Sequence, residues 1–456
     1  MAGFIDSDKY LRIAEDVLKA SSGEIVEVGI SHAIQDNARF MESTVHQYNK
    51  LNELKVSVRV RFGQKCGISS TTDTTKDGLI NLVKQAEEIA LNSKEDPFLP
   101  FPEGGKSLFF EQVDPAVADF GPAEKSRFLS RIFQEFSEDF LFYGSMRSSL
   151  NFVGVYNNLG LRAGMANTAL HLTLLPEDPE ETDTFWVQYS SPSLDTLKYD
   201  DIFVKLREFL KMRYPDAHIK PGKYPVILSP YAVREVLDFM QYVGFSGKAL
   251  ELDISFLKGM KGRKVFGDSF NLVDKPVRKS GFSMPFDFEG ISKRNIVIFE
   301  KGVFRRFIFD KRTARIFNRK TTGHGLVLLG SFPFAGHLEM PPGEKTLSEM
   351  IAEYQDVIYI HRFHYVNVLD PRTFTLTGMT RDGTFRVKHG KRWARLPNMR
   401  FQVNFVDLFN NITAISKEHE EIGFPDSYDM DLPLSYRLPY LRCEGFNFIG
   451  FSTEEG

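Results

Sequence analysis

The run Tyr224–Lys248 (YPVILSPYAVREVLDFMQYVGFSGK) constrains this chain more than any other stretch of its length. Tyr224–Leu228 is a short apolar run of the kind that forms a buried strand. Ser229-Pro230 breaks it, and apolar residues at helical spacing follow from about Tyr231 to Val243, with Gly244 as the stop. The expectation is a strand that feeds a helix with almost no loop between them.

Elsewhere, strand and helix periodicities alternate. An opening helix is expected over Asp8–Ala20, then strands over Ile25–Ser31, Ala38–Gln47, Lys55–Phe62 and Lys65–Ser69. Val56-Ser-Val-Arg-Val-Arg-Phe alternates with period two, as a half-buried strand does, and Gly63-Gln64 reads as a tight hairpin turn. A helix over Lys76–Asn92 carries Leu79, Leu82, Val83, Ala86, Ile89 and Ala90 on its apolar face. Glu95–Gly105, with three prolines and a Gly-Gly end, reads as a linker. A second module brings a helix over Ala123–Glu138, one long alternating strand through Gly160–Leu175, a polar loop at Pro176–Thr184 and a helix near Asp200–Met212. Beyond the turn region Pro215–Lys223 the pattern is mostly β, with further helices expected at Leu347–Tyr354 and Asn404–Lys417. Helices grouped beside antiparallel-looking strands predict an α+β fold. Its expected parts are two small N-terminal α/β modules, 1–105 and 106–222, and a large β-rich C-terminal domain, 223–456, with antiparallel sheets.

Composition excludes several classes. A length of 456 residues with 42% hydrophobic content supports a large core. The 42 phenylalanines suit cores or peptide-binding surfaces and argue against disorder. A net charge of −3 and a pI near 6.4 do not suit a nucleic-acid protein. Cys66 and Cys443 stand far apart in half-apolar contexts, so no disulfide framework is indicated and a reducing compartment fits. The acidic, amphipathic start MAGFIDSDKYLRIAEDVLK lacks the signal-peptide pattern, and no apolar run reaches the ~18 residues of a membrane helix. A cytoplasmic protein is the expectation.

Several short stretches then fall in a known order. Val58-Arg-Val, Gly63 and Gly67 precede a Thr/Asp turn and a helix; Phe286-Asp-Phe-Glu-Gly290 forms a D-x-E-G turn. Lys301-Gly302, Asp310, Thr313-Ala314 and Thr322-Gly323-His324 follow, then Thr346–Gly390 and a terminal strand at Leu438–Gly450. In this order the chain resembles the TldD/PmbA family over nearly its whole length. That family contains zinc peptidases with a His-Glu-x-x-x-His helix, and PmbA-type (TldE-type) partner subunits without it. With Pro230 and Gly247 laid on the family pattern, Asp238, Phe239 and Val243 fall where His, Glu and His would stand. Zinc-binding members also carry a cysteine shortly before the terminal strand. Here Ser427–Pro433 holds none, and Cys443 lies inside the strand.

Zinc catalysis needs three protein ligands and an open position for water. The resemblance therefore implies a subunit with no catalytic or metal-binding residues and no cofactor of its own. Zinc is expected in a TldD-type partner, with which this chain forms a heteromer around a cavity for unfolded or small peptides; a homodimer is the other arrangement. It assigns no substrate-binding residues. Two rivals stand beside it: a metal-independent enzyme on the same scaffold, using Asp238 with a nearby His, and a homodimeric peptide-binding or regulatory protein.

Other motifs carry less. His361 and His364 sit in a strand-like run, where residues three apart face opposite ways. His419-Glu420 imitates a zinc helix but no second His follows, and it reads as a solvated helix end. Gly244–Lys248 lacks the first glycine and the Ser/Thr of a phosphate loop. Asp287 and Glu289 could share a face for acid/base work, but Gly290 favours a structural turn. Lys301–Lys320 carries eight Lys/Arg against Asp310 alone, and reads as a basic outer face or subunit contact before a nucleic-acid surface. The family's old label as a modulator of DNA gyrase does not require this chain to touch DNA.

Overall fold

The computed structural model describes residues 7–179, 184–210, 214–330, 332–425 and 431–451. It is a mixed α+β structure built on two sheets, both largely antiparallel.

The first sheet takes its seven strands from both N-terminal spans. They are β1 Ile25–Met41, β2 Thr44–Phe62, β3 Lys65–Thr71, β4 Ser107–Gln112, β5 Leu141–Asn157, β6 Arg162–Glu177 and β7 Val187–Ser191. The order is β3-β2-β1-β5-β6-β4, with β7 also on β6. β1 pairs antiparallel with β5 from Glu27↔Asn157 to Phe40↔Gly144, so residues on either side of position 105 share one ladder. β4 and β7 lie along the same outer edge of β6, at 162–167 and 170–174.

Sequence reading broke the first hairpin into short pieces, with separate strands at Ile25–Ser31 and Ala38–Gln47. The structure instead shows two long strands that turn at Glu42-Ser43, both with positive φ (49° and 56°). The polar run 32–37 looked like a break. Its backbone is bonded to β2 on one side and β5 on the other, and that two-sided pairing holds it extended.

Helices Ser7–Ala20 and Lys76–Asn92 bury Tyr10, Ala14, Val17, Leu79, Leu82 and Val83 against Val28, Val56 and Val58 of this sheet. Helices Pro122–Glu135 and Tyr199–Leu210 close a second core that absorbs much of the phenylalanine. Phe133, Phe136, Phe140, Phe142, Phe203 and Phe209 meet there ring to ring.

The second sheet has eleven strands. They are β8 Gly222–Leu228, β9 Leu272–Asp274, β10 Ile296–Glu300, β11 Val303–Phe304, β12 Leu338–Glu339, β13 Asp356–Asp370, β14 Thr375–Lys388, β15 Arg392–Arg395, β16 Met399–Asn404, β17 Ile412–Gly423 and β18 Ser435–Phe451. The order β18-β16-β14-β13-β8 returns on itself because β8 also pairs with β18. β15 lies on β14, and β17 pairs only with β18 among the strands.

The expected strand-to-helix unit is present. β8 leads through Ser229 into helix Pro230–Met240; the Ser229 hydroxyl caps it by accepting from Tyr231 N at 3.1 Å, and proline stands at the first helical position. Ala232, Val233, Val236, Leu237 and Met240 are fully buried in the core of the second sheet. The helix ends in a wide π turn, Gln241–Phe245, and Ser246 caps the short helix Gly247–Glu251 that follows.

The helix expected over Asn404–Lys417 is corrected: Phe405–Asn410 is helical, and Ile412 begins β17. The β-branched run Ile412-Thr-Ala-Ile pairs with β18, which outweighs the local helical spacing. Of the cysteine-free stretch Ser427–Pro433, residues 427–430 lie outside the described residues, as do 180–183 of the expected polar loop and 211–212 of the expected helix end.

Candidate functional site

The three positions that the resemblance places at a metal site lie at the end of helix Pro230–Met240 and just beyond it. Asp238 accepts a hydrogen bond from Tyr436 Oη at 2.8 Å and faces Arg234 Nε at 3.4 Å. Burial pushes its carboxyl up, against the opposing pull of Arg234 and Tyr436. Phe239 is half-buried and packs on the core of the second sheet, while Val243 is buried. Gln241 completes the local network: its Nε2 donates to Tyr436 Oη at 2.6 Å, and its Oε1 accepts from Ala335 N at 2.9 Å. One engaged carboxylate, a phenyl ring and an isopropyl group do not form a donor set that fits zinc. Among the described residues, no group of three or more His, Cys, Asp or Glu could hold a metal ion. Among the described residues, the partners of Asp238 are Tyr436 and Arg234 rather than a histidine.

The chemistry-bearing cluster that the sequence did not reveal lies where the two sheets meet. Glu420, on β17, is bound by three side chains. Lys205 Nζ donates to Oε2 at 3.0 Å, Tyr231 Oη to Oε2 at 3.1 Å and Tyr440 Oη to Oε1 at 3.0 Å. Burial favours the neutral acid, but the Lys205 charge and the hydrogen bonds from Lys205 and Tyr440 outweigh it and hold the carboxyl below its ordinary range. Burial and the nearby Glu420 charge push the phenols of Tyr231 and Tyr440 well up, so both remain donors. His361 stacks on Phe185 at 4.1 Å and donates from Nε2 to Trp186 O at 2.7 Å, while its Nδ1 accepts from Tyr359 Oη at 3.1 Å. Burial lowers its pKa to about 4, which keeps the ring neutral.

These side chains line an aromatic pit of about 120 Å³, which shares Lys205, Glu208, Leu347, Glu420 and Tyr440 with a cleft of about 670 Å³. The cleft runs past β7, the outer edge of the first sheet, and the Glu418–Glu421 part of β17, the outer edge of the second. A further hollow of about 560 Å³ continues it toward Asp114 and Lys279. Sequence reading put His419-Glu420 at a solvated helix end. Both residues instead lie on β17, where His419 Nε2 donates to Met340 O at 2.8 Å. Ile412–Gly423 shows no clean period-two alternation, and register shifts in its pairing with β18 break the phase, so no local signal placed Glu420 on an inward face.

The other candidates resolve as structure. His361 is buried and His364 half-buried, and they make no pair. The Asp287 carboxylate accepts from the backbone N–H groups of Glu289, Ile291 and Gly325 at 2.9–3.0 Å, with Gly290 at φ 72°, so it stitches a turn. Glu289 is pushed up by burial and by Asp287, and accepts from Lys311 N at 2.8 Å. In the basic stretch, Lys311 stands 3.7 Å from Glu103, Arg312 pairs with Asp96, and Arg315 donates to Leu99 O. Those three cations bind the segment 95–105 to the second sheet's domain. Cys443 is fully buried within β18, and Cys66 is half-buried.

Comparison with known proteins agrees with this architecture. Residues 221–450, half of the chain, match the model described as PmbA/TldA metallopeptidase C-terminal domain, and residues 26–90 match PmbA/TldA metallopeptidase domain 1. The crystal structure of TldE from Thermococcus kodakarensis shares the fold with a TM-score of 0.81 at 16% identity, covering 97% of this chain and 100% of that one. A Thermotoga maritima structure that carries the DNA gyrase modulator label gives 0.80 at 17% identity, over 96% and 100%. A zinc metalloprotease TldD homolog of Saccharolobus solfataricus is 21% identical over 269 residues, 56% of this chain and 58% of that protein. The chain spans between 32% and 58% of the length of the curated relatives it matches. With half of its residues matched by one family model, and a second family domain near its start, the chain belongs to the PmbA/TldD metallopeptidase family.

Proposed function

We propose that this chain is the PmbA/TldE-type subunit of a cytoplasmic TldD/TldE-like metallopeptidase. In this reading it holds no metal and completes a peptide-binding cavity beside a zinc-bearing, TldD-type homologue. The observation that carries the reading is the set Asp238, Phe239 and Val243: the one carboxylate is engaged by Tyr436 and Arg234, and the other two side chains are apolar. The cleft supports an extended peptide as substrate. β7 and β17 each end a sheet and both line it, so an unstructured chain can add its backbone to a strand edge while its side chains enter hollows.

The test is cleavage of an unstructured peptide by this chain, by a His-Glu-x-x-x-His homologue from the same organism, and by their mixture. The mixture is expected to cleave, to lose activity with chelator, and to run as one complex burying at least ~1,200 Å². Chelator-resistant cleavage by this chain alone would overturn the reading in favour of a metal-independent enzyme. Failure to associate at micromolar concentration would favour the homodimeric binding protein.

A further inference from the structure

We propose that the aromatic pit at Glu420 receives the cationic side chain of a lysine or arginine in a bound peptide. The inference rests on the peptide-binding reading above and adds what the site selects.

Size comes first. A pit of about 120 Å³ has room for one side chain; that is roughly four waters at ~30 Å³ each. Next are the walls. Among the described residues seven rings line it, those of Phe185, Trp186, Tyr231, Tyr359, Trp393, Tyr440 and the neutral His361, and Arg362 already lies over one of them, Trp186, at 4.0 Å. Aromatic faces are negative and attract an ammonium or guanidinium, while their bulk packs an aliphatic stem. A neutral apolar side chain would gain only the packing.

Charge decides between them. Among the described residues, pit and cleft together are lined by the carboxylates Asp201, Glu208, Glu418, Glu420 and Glu421 and by one ammonium, Lys205, which pairs with Glu420, while Arg437 pairs with Glu421 from beside the cleft. A cleft wall with more carboxylates than cations focuses the field on an entering cation. Glu420 also keeps capacity at its oxygens. A carboxylate offers about four acceptor sites, and Lys205, Tyr231 and Tyr440 fill three. Glu208 lies one helical turn after Lys205 on Tyr199–Leu210 and lines both pit and cleft, so it meets the cation at the rim. An acidic side chain would meet carboxylates that Lys205 only partly offsets.

The pit reports on itself. The chain has two tryptophans, Trp186 and Trp393, and both line the pit. Intrinsic fluorescence of the full chain, without partner or metal, should therefore follow occupancy. The probes are acetyl-Ala-Ala-Lys-Ala-Ala-amide and the same peptide with norleucine in place of lysine, which keeps the stem and removes the charge. The lysine peptide is expected to give a saturable change and to bind at least about fivefold more tightly than the norleucine peptide. Glu208→Gln, an exposed change that should leave folding intact, is expected to narrow that gap; Glu420→Gln, checked for folding by circular dichroism, should narrow it further. Equal affinity for the two peptides overturns the assignment, and so does the lack of a saturable change with the lysine peptide. Neither failure alters chelator-sensitive cleavage by the two-chain mixture, so it is separable from failure of the subunit reading.

Discussion

At the scale of single residues, burial determines both what His361 does and what its loss would reveal. Its folded-state pKa of about 4 lies below the ~6.5 of an unfolded histidine, because burial disfavours the imidazolium. Protonation therefore favours the unfolded chain. The stability held by the neutral ring is complete above pH ~6.5 and is lost as pH falls toward 4. Other groups titrate in the same window, so the clean reading is a difference. The stability gap between wild type and His361→Asn should shrink on acidification by up to about 1.4 kcal/mol per pH unit. Urea unfolding at pH 7 and pH 5 measures it, and an unchanged gap would mean that the ring is not held neutral.

Phe239 tests the degenerate helix in the same currency. The ring that stands at the family's acid position is half-buried on the core. Phe239→Ala should therefore cost roughly half of the ~3–5 kcal/mol of a fully buried ring. Stability near wild type, together with weakened peptide cleavage by the two-chain complex, would instead assign the ring to the cavity.

At the scale of elements, the first hairpin carries a local cost. Glu42 and Ser43 both adopt left-handed backbone, the two-residue turn geometry that matches strand twist but penalises a Cβ. Ser43 is compensated: its amide donates to Phe142 O at 3.0 Å and its hydroxyl accepts from Phe142 N at 3.1 Å. Glu42 makes no comparable contact to β5. Glu42→Asn should then stabilise the chain by up to about 1 kcal/mol, whereas Ser43→Gly should gain little because it removes an acceptor. Denaturant midpoints of the two variants would separate these outcomes; a larger gain from Ser43→Gly would mean that the bond from Phe142 N to the Ser43 hydroxyl contributes nothing.

Legibility in the sequence follows the same division between local and distant causes. Helices Lys76–Asn92 and Pro230–Met240 were readable because cap, periodicity and stop all lie within the segment. The Gly63-Gln64 turn was readable for the same reason. Residues 32–37 and Ile412–Gly423 were misread because strands far away in sequence, β5 and β18, hold them extended. The Asp238, Phe239 and Val243 positions came from family order, whereas the Glu420 cluster was invisible. Its members Lys205, Tyr231, Glu420 and Tyr440 come from helix Tyr199–Leu210, helix Pro230–Met240, and the strands β17 and β18 of the second sheet.

At the scale of the molecule, the segment 95–105 is a tether held in place by the basic stretch. Arg312 pairs with Asp96, and Arg315 donates to Leu99 O and covers Phe101 at 5.4 Å. Replacing Arg312 and Arg315 by alanine should free this proline-rich segment without disturbing either core. The expected sign is faster limited proteolysis within 95–105 at an unchanged unfolding midpoint. Equal cleavage rates would show that the tether is held by its own turns.

The position of β18 has a consequence for how the chain is made. The first sheet is complete once residue 191 has left the ribosome, and it can fold while synthesis continues. The second cannot. β8, β12, β16 and β17 all pair with β18, so each keeps one edge open until the segment 435–451 is made, and β17 has no other strand to pair with among the described residues. During that interval Val226, Leu228 and Phe401 have β13 or β14 along one edge, but the edge that faces β18 stays open and their apolar surface is only partly covered. Nascent chains of this protein should therefore be prolonged clients of ribosome-associated chaperones, and chains stalled before residue 435 should be far more prone to aggregate than chains stalled soon after residue 191.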